Sequence, residues 1–407
     1  MTTAWYNRAL DVADCGLPLT APAPCYSIQH DGHRGTDMVR REPNFDQFVQ
    51  VMLRNVEPDW VPLSEFGIDG GVMAEIQGPP REGEDRSAWQ VRFWRDMGFD
   101  YLSQGVNLGF PHGTRVAEDT AQLSHGTRAW VEEAKGPITT WEEFERYPWP
   151  RVTDEAFADF ERVGRYLPQG MKLVATIPGG PFENVTFLMG FESFSYALVE
   201  QPDLVQAVID RVDEVLVKCV EVTAGLEWVG AQWINDDMGF KGGTLASPAT
   251  LRRYVFPTQR RLGEIAHRHG KPVFLHSCGR LDAIMDELID DIRIDAKHSF
   301  EDVIEPVWEA KRKWGRRVGL LGGVDMDVLC RGSEEQVRAY TRRCIEECLP
   351  GGGWALGSGN TIANYMPPRN LLAMLDEAKQ ARWWESASSA CAPTHDQTPA
   401  TDSQPRG

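Results

Sequence analysis

A histidine and a cysteine stand two residues apart at the end of a short apolar run. The run is Lys271-Pro-Val-Phe-Leu, and His276-Ser-Cys278-Gly279 follows it directly. Its β-branched and aromatic residues are typical of a buried strand, in which side chains at i and i+2 lie on the same side. His276 and Cys278 can therefore converge, and an imidazole with a thiolate is a common pair of zinc ligands. The alternative is a hydrogen-bonded histidine at a strand end beside a small buried cysteine.

These side chains need a scaffold that brings the ends of several strands together. Apolar runs alternate with helical patterns along the chain, and strands are predicted near residues 61, 100, 173, 231, 273, 294, 318 and 354. Runs of this kind favour parallel βα units that are buried on both faces. Eight units indicate an α/β fold, a (β/α)8 TIM barrel over residues 44–384. A doubly wound sheet is less favoured, because no Gly-x-Gly-x-x-Gly follows the first strand.

Three segments are expected to lie outside the regular barrel. Residues 1–43 are polar and punctuated by proline, which predicts an N-terminal extension, and residues 385–407 are poor in apolar side chains, which predicts a disordered tail. Residues 106–150 are rich in Gly, Thr and His and are predicted to form a loop-rich insertion, often a functional lid. Within it, Thr140 and Glu143 have the spacing of a capping box that begins a short helix.

Polar residues end nearly every predicted strand, and in a TIM barrel the active site lies at those carboxyl ends. Any one of them is commonly a helix cap or an ion-pair partner, but a packed scaffold has no need of so many. The predicted catalytic residues are Asp236, Asp237, Glu65, Glu183 and His298. The predicted substrate contacts are Lys241, Asp325, Ser358 and Asn360, and the predicted metal ligands are His276 and Cys278.

Two mechanisms fit these residues. In the first, His276 and Cys278 bind zinc, a carboxylate or His298 completes the site, and an open position activates a thiol or water. In the second there is no metal, and a carboxylate and an imidazole transfer protons.

The composition narrows the classes of partner. The net charge is −18 over 407 residues, whereas nucleic-acid binding requires a basic surface. No run of about 18 apolar residues predicts a membrane span, and the first residues do not have the pattern of a signal peptide. Eight scattered cysteines favour free thiols in a reducing cytoplasm. We therefore expect a cytoplasmic protein with a small-molecule substrate, and no nucleic-acid or membrane partner.

Several motifs in a fixed order resemble the uroporphyrinogen decarboxylase superfamily, from about Asn44 to Ala378. They are Asn44-Phe-Asp-Gln-Phe, Val61-Pro-Leu-Ser-Glu65, Met189-Gly-Phe-Glu, Asp236-Asp237-Met-Gly, His276-Ser-Cys278-Gly, Gly322-Gly-Val-Asp325 and Met366-Pro-Pro-Arg-Asn370. This superfamily also holds methylcobalamin:coenzyme M methyltransferases and corrinoid-dependent O-demethylase components. The resemblance implies a (β/α)8 barrel, in agreement with the count of predicted strands.

The chain departs from the decarboxylases of this superfamily at two places. Their N-terminal arginines hold the carboxylates of the porphyrinogen, whereas the first predicted strand here ends in Glu65, which would repel a polycarboxylate. Near the last strand they have Gly-His-Gly, and this chain has Ser358-Gly359-Asn360.

The methyltransferases are similar in having His-x-Cys, which matches His276 and Cys278. Their third zinc ligand is a cysteine near the last strand, where this chain has Ser358, and a serine hydroxyl is a poor zinc ligand. The resemblance therefore leaves the third ligand to be found among four residues, or implies no zinc at all. The four are Asp236, Asp237, His298 and Glu183.

The first functional hypothesis is methyl transfer between a small molecule and a corrinoid protein, with zinc lowering the pKa of an acceptor thiol. No corrinoid-binding module is visible in the chain, so a partner would carry the corrinoid. The alternative is decarboxylation of a porphyrinogen or another carboxylate, in which Asp236 or His276 stabilises a protonated intermediate. The third hypothesis is a binding barrel without catalysis.

Overall fold

The structure is a computed structural model that describes residues 41–121, 123, 126–132 and 135–381. The predicted extension lies outside the described residues except for its last three positions, and the predicted tail lies outside them entirely. The strands are β1 Tyr101–Gly105, β2 Thr114–Glu118, β3 Thr127–Val131, β4 Lys172–Thr176, β5 Val229–Asn235, β6 Gly239–Phe240, β7 Gly243–Thr244, β8 Val273–His276, β9 Ala296–His298, β10 Gly319–Leu321 and β11 Trp354–Ala355.

Helices fill most of the intervals between the parallel strands. They are α1 Phe45–Met52, α2 Gly70–Gln77, α3 Arg86–Met97, α4 Trp141–Arg146, α5 Ala158–Gly164, α6 Pro181–Met189, α7 Phe191–Glu200, α8 Pro202–Gly225, α9 Pro248–Tyr254, α10 Phe256–Arg268, α11 Met285–Asp290, α12 Val307–Trp314, α13 Met326–Arg331, α14 Glu334–Cys348 and α15 Pro368–Gln380. A 3-10 turn, Asp154–Phe157, precedes α5. No helix within these described ranges has the length and apolar character needed to cross a membrane.

Seven parallel strands form one curled sheet in the order β1-β4-β5-β8-β9-β10-β11. Neighbours in the sheet are consecutive parallel strands of the chain, and helices connect most of them, as in a (β/α) barrel. The predicted α/β barrel class is confirmed.

The first predicted strand, near residue 61, is reduced to a single parallel bridge between Leu63 and Leu356. The N–H of Ser64 donates to the carbonyl of Leu356 at 2.7 Å, and the N–H of Leu356 donates to the carbonyl of Pro62 at 2.7 Å. Pro62 has no N–H to donate, which keeps the segment from pairing as a regular central strand. On its other side this segment contacts the edge strand β1 through side chains. Ser64 Oγ lies 2.8 Å from Tyr101 Oη.

The interior of the barrel is packed rather than hollow. Large buried rings from the strands and from α1 meet there, and they include Phe45, Phe48, Tyr101, Trp233 and Phe274. Helix α1 lies across the amino ends of the strands, where the N–H of Phe45 donates to the carbonyl of Gly170 at 2.8 Å. With that end closed, the carboxyl ends of the strands are the ends available for chemistry.

The insertion at residues 106–150 has more structure than predicted. It contains the antiparallel hairpin β2–β3 as well as α4. Every residue of β2 is exposed, so the strand lacks the apolar alternation that identifies strands in a sequence. The predicted capping box of α4 is confirmed, with Thr140 and Glu143 bonding each other's backbone N–H.

Candidate functional site

A large cavity opens at the carboxyl ends of the strands. Its volume is about 1210 Å³, enough for a cofactor-sized molecule. Aromatic side chains form much of its wall, namely Phe66, Trp89, Trp94, Phe182, Phe187, Phe191, Phe240 and Tyr365. Seven of the predicted site residues line it, namely Glu183, Asp237, Lys241, His276, Cys278, Asp325 and Asn360. Glu65, Asp236, His298 and Ser358 lie behind this wall and are buried.

His276 and Cys278 converge as the strand pattern predicts. Strand β8 ends at His276, and His276 Nε2 lies 3.6 Å from Cys278 Sγ. The same nitrogen lies 3.6 Å from Oδ1 of Asp237, which also accepts the backbone N–H of Cys278 at 2.8 Å. One ligand atom from each of these three residues therefore lies within 4.8 Å of the other two.

The three atoms are of types that bind zinc, and the spacing of the nitrogen and the sulfur fits a zinc ion. Tetrahedral bonds of about 2.0–2.1 Å to nitrogen and about 2.3 Å to sulfur would separate the two atoms by roughly 3.6 Å. The Nε2 to Sγ distance of 3.6 Å agrees with that value. Three protein ligands of the nitrogen, sulfur and oxygen type leave a fourth position for a substrate, as in catalytic zinc sites.

Asn360, rather than Ser358, reaches the cysteine. Asn360 Nδ2 lies 3.4 Å from Cys278 Sγ, and Ser299 Oγ lies 3.5 Å from the same sulfur. Both are groups that can donate a hydrogen bond to a thiolate and stabilise its charge. Ser358 instead contacts Glu65 with both its backbone N–H and its hydroxyl.

Burial and charge set the protonation of the cluster. Burial, and next the negative charge of Asp237, raise the pKa of the Cys278 thiol well above its ordinary value. Without a cation the thiol is therefore held protonated at neutral pH. Burial lowers the pKa of His276, which keeps its imidazole in the neutral form that metals bind.

Lys297 is a buried cation behind the cysteine. Its ammonium donates to the carbonyl of Ser299 and lies 4.2 Å from the centroid of the Phe300 ring. Burial lowers the pKa of Lys297 to about 8. Ser299 has φ of +110°, a backbone conformation rare for a residue with a side chain. No sequence pattern identifies Ser299 as a site residue, because a serine in this backbone conformation has the same residue type as any other serine.

Phe66 was not among the predicted site residues, yet it forms the floor beneath the cluster. Its ring stacks on that of His276 with centroids 4.5 Å apart and an interplanar angle of 22°. The sequence does place Phe66 near the site, since it directly follows the predicted site residue Glu65 at the end of the first predicted strand.

Asp236 faces helix α6 instead of the cavity. Its two carboxyl oxygens accept the backbone N–H of Glu183 at 2.9 Å and the amide of Gln259 at 2.7 Å. A carboxylate at a helix N-terminus is stabilised by the free N–H groups there. Burial nevertheless raises the pKa of Asp236 to about 7. Asp236 thereby fixes the start of α6, and with it Glu183, whose side chain lines the cavity.

Asp325 caps a helix at the cavity wall, whereas Lys241 lies exposed beside it. Oδ1 of Asp325 accepts the backbone N–H of Asp327 at 2.8 Å, at the start of α13. Its Oδ2 accepts the backbone N–H of Asp302 at 3.0 Å. Lys241 follows β6 and is exposed, so its ammonium is available to a ligand.

Glu65 is fully buried behind the cavity and bonded to Ser358. Its Oε1 accepts the N–H of Ser358 at 2.7 Å, and its Oε2 lies 2.7 Å from Ser358 Oγ. The hydroxyl is also 3.1 Å from the carbonyl of Asn360 and has only one proton to donate. Every contact is satisfied when Glu65 itself carries a proton, and burial raises its pKa to about 8.

Replacing Glu65 by glutamine is expected to remove a pH dependence of stability. The pKa rises from 4.5 in the free side chain to about 8 in the fold. The stability that the Glu65 side chain gives to the fold is therefore complete below pH 4.5 and is lost as pH rises through about 8. At about 1.4 kcal/mol per pKa unit, the change amounts to several kcal/mol. Urea unfolding of the wild type and of Glu65→Gln from pH 5 to pH 9 measures the difference. If the free energies of unfolding of the two proteins change with pH in parallel, the raised pKa of Glu65 is contradicted.

Comparison with known proteins connects this chain to one family. A sequence model of the uroporphyrinogen decarboxylase (URO-D) family matches residues 133–381. A uroporphyrinogen decarboxylase of Thioalkalivibrio sulfidiphilus (strain HL-EbGR7) is 37% identical over 75 residues, which are 18% of this chain and 21% of that protein. The methylcobamide:CoM methyltransferase MtaA of Methanosarcina barkeri is 26% identical over 199 residues, 48% of this chain and 55% of that protein.

The chain thus matches about a fifth of the first of these relatives and about half of the second. Among solved structures, a methyltransferase from Methanosarcina mazei superposes with a TM-score of 0.60 at 17% identity. The match covers 83% of this chain and 99% of that one. At this identity the superposition supports the barrel fold alone.

Proposed function

The chain belongs to the uroporphyrinogen decarboxylase family, and on that premise we propose that it is a methyltransferase acting with a corrinoid protein. The reaction moves a methyl group between a small molecule and a corrinoid that a partner carries. The proposal rests above all on the cluster of Asp237, His276 and Cys278 at the carboxyl end of the barrel. The MtaA relative, named as a methylcobamide:CoM methyltransferase, supports the same class of reaction.

Under this proposal His276 Nε2, Cys278 Sγ and an oxygen of Asp237 hold a zinc ion. Zinc at such a site supplies positive charge that lowers the pKa of a thiol substrate, so that the thiol reacts as a thiolate. Asn360 and Ser299 donate to the cysteine sulfur, and Asp237 is kept in place by the backbone N–H of Cys278. The stacked ring of Phe66 excludes water from one face of His276.

The charge of the cavity favours this reaction over porphyrinogen decarboxylation. Among the described residues, seven acidic and three basic side chains line it. The acidic ones are Asp69, Glu183, Asp237, Glu301, Asp302, Asp325 and Asp327, and the basic ones are Arg86, Lys241 and Arg331. An excess of carboxylates opposes the binding of a substrate that itself carries many carboxylates.

The mouth of the cavity offers a contact surface for the corrinoid-carrying partner. Exposed apolar side chains surround it, namely Phe240, Leu245, Val303 and Tyr365. Apolar patches of this kind commonly mark interaction sites. We place the reaction in the cytoplasm, in keeping with the free thiols of Cys219, Cys278, Cys330, Cys344 and Cys348.

Metal analysis of protein prepared without an affinity tag tests the metal centre of this proposal. We expect about one zinc per chain in the wild type, and loss of that zinc in His276→Ala and in Cys278→Ala. The same preparations are then given uroporphyrinogen. Metal-free wild-type protein that decarboxylates uroporphyrinogen would overturn the proposal.

A further inference from the structure

Two histidines at the ends of neighbouring strands share one hydrogen bond. His276 ends β8, His298 ends β9, and the two are paired in the sheet register. Their Nδ1 atoms lie 2.7 Å apart, and the ring centroids are separated by 5.0 Å with an interplanar angle of 38°. One nitrogen of the pair must therefore carry the proton and the other must accept it.

His298 lies outside the cavity, and besides His276 its polar neighbours are the backbone of Ser358 and the cation of Lys297. It has no exposed surface, and the ring of Trp233 meets it edge-on at 5.5 Å. Within the described part of the chain, its Nε2 has no hydrogen-bond partner of normal geometry. A buried polar atom without a hydrogen bond is uncommon in folded proteins and calls for a physical explanation. The backbone of Ser358 favours a proton on this ring, and a proton on Nε2 leaves Nδ1 free to accept from His276.

The position of the shared proton decides whether His276 can bind a metal. If His298 donates, the free proton of neutral His276 sits on Nε2 and blocks the lone pair that faces Asp237 and Cys278. If His276 donates from Nδ1, that lone pair is free. A buried N–H also needs an acceptor, and histidine ligands generally donate their second N–H to one. His298 Nδ1 is the acceptor within bonding distance of His276 Nδ1.

We propose that His298 is a positioning residue, which accepts the Nδ1 proton of His276 and holds Nε2 as a metal-binding lone pair toward Asp237 and Cys278. This inference rests on the metal centre of the proposed function. It reassigns His298 from a predicted catalytic residue to one that acts through His276.

Cobalt(II) titration tests this role without requiring any enzymatic activity. Binding is followed by the thiolate-to-cobalt charge-transfer absorbance that Cys278 would give. In His298→Leu the acceptor is lost, and we expect the affinity to fall about 10- to 100-fold. In His298→Asn the side-chain oxygen can replace Nδ1, and we expect affinity within about 3-fold of wild type. His298→Met is a second apolar variant, should the leucine variant not fold.

Unfolding of the metal-free proteins separates positioning from general support of the fold. Unchanged stability of His298→Leu together with weak cobalt binding, rescued in His298→Asn, would support the proposal. Equal cobalt affinity and equal spectra in wild type and His298→Leu would overturn it and leave the metal centre intact. A wild-type protein that gives no charge-transfer band would overturn both the inference and the proposed metal centre.

Discussion

Replacing Cys278 by serine is expected to lower the rate of methyl transfer by roughly 10³-fold, about 4 kcal/mol of transition-state stabilisation. The sulfur lies 3.6 Å from His276 Nε2, and a hydroxyl is a poor zinc ligand compared with a thiolate. The metal would be lost from a site that retains only one nitrogen and one carboxylate. Steady-state methyl transfer and zinc content of the same sample measure the two effects together.

Cys330→Ser is the matched control for this change. Cys330 is a half-buried thiol on α13, and it is absent from the cavity wall. We expect its replacement to leave both zinc content and activity within about 2-fold of wild type. If Cys278→Ser keeps its zinc and its activity, the cysteine does not act as a ligand.

Replacing Trp233 by alanine is expected to destabilise the fold by about 3–5 kcal/mol. This ring is fully buried inside the barrel, where it packs edge-on against Phe66 at 5.1 Å and against Phe274 at 5.7 Å. It also meets His298 at 5.5 Å. The cavity left by its removal cannot close without moving the strands. Urea unfolding, with the slope compared between variants, measures the change.

Two controls separate loss of packing from loss of a tryptophan as such. Trp233→Phe keeps an aromatic ring and removes an indole N–H that has no partner in the described ranges, so we expect a smaller loss of about 1–2 kcal/mol. Trp141 is exposed, and Trp141→Ala should change the free energy of unfolding by less than about 1 kcal/mol. A loss in Trp233→Ala no larger than in Trp141→Ala would refute the packing argument.

The barrel was predictable because its signals are local. Apolar runs with β-branched residues mark the strands, and helical spacing marks the connections. Pro62 indicates that the first predicted strand, near residue 61, is short, since proline has no N–H to donate to the sheet. Helix α12 begins at Val307, because Pro306 restricts the residue before it and then serves as the N-cap.

Within the site, the sequence predicted the pair at residues 276 and 278 but not the roles of neighbouring polar residues. Asp236 and Asp237 are adjacent and chemically identical. The first caps α6 and the second faces His276, a difference set by tertiary packing. Near the last strand, Ser358 forms a bridge with Val324 and contacts Glu65, so that Asn360 reaches the sulfur. The chain is irregular beyond β11, and alternation along a strand does not apply there.

The most direct test of the central claim is loss of the methyl group from methylcobalamin when a small thiol such as coenzyme M is added. The acceptor sulfur gains the methyl group, the cobalt keeps the electron pair of the broken bond, and the thiol proton is released. The change in cobalamin absorbance follows the reaction. We expect wild-type turnover that is abolished by metal removal and lowered roughly 10³-fold by Cys278→Ser. Unchanged methylcobalamin with every thiol tested, together with turnover of uroporphyrinogen, would contradict the account.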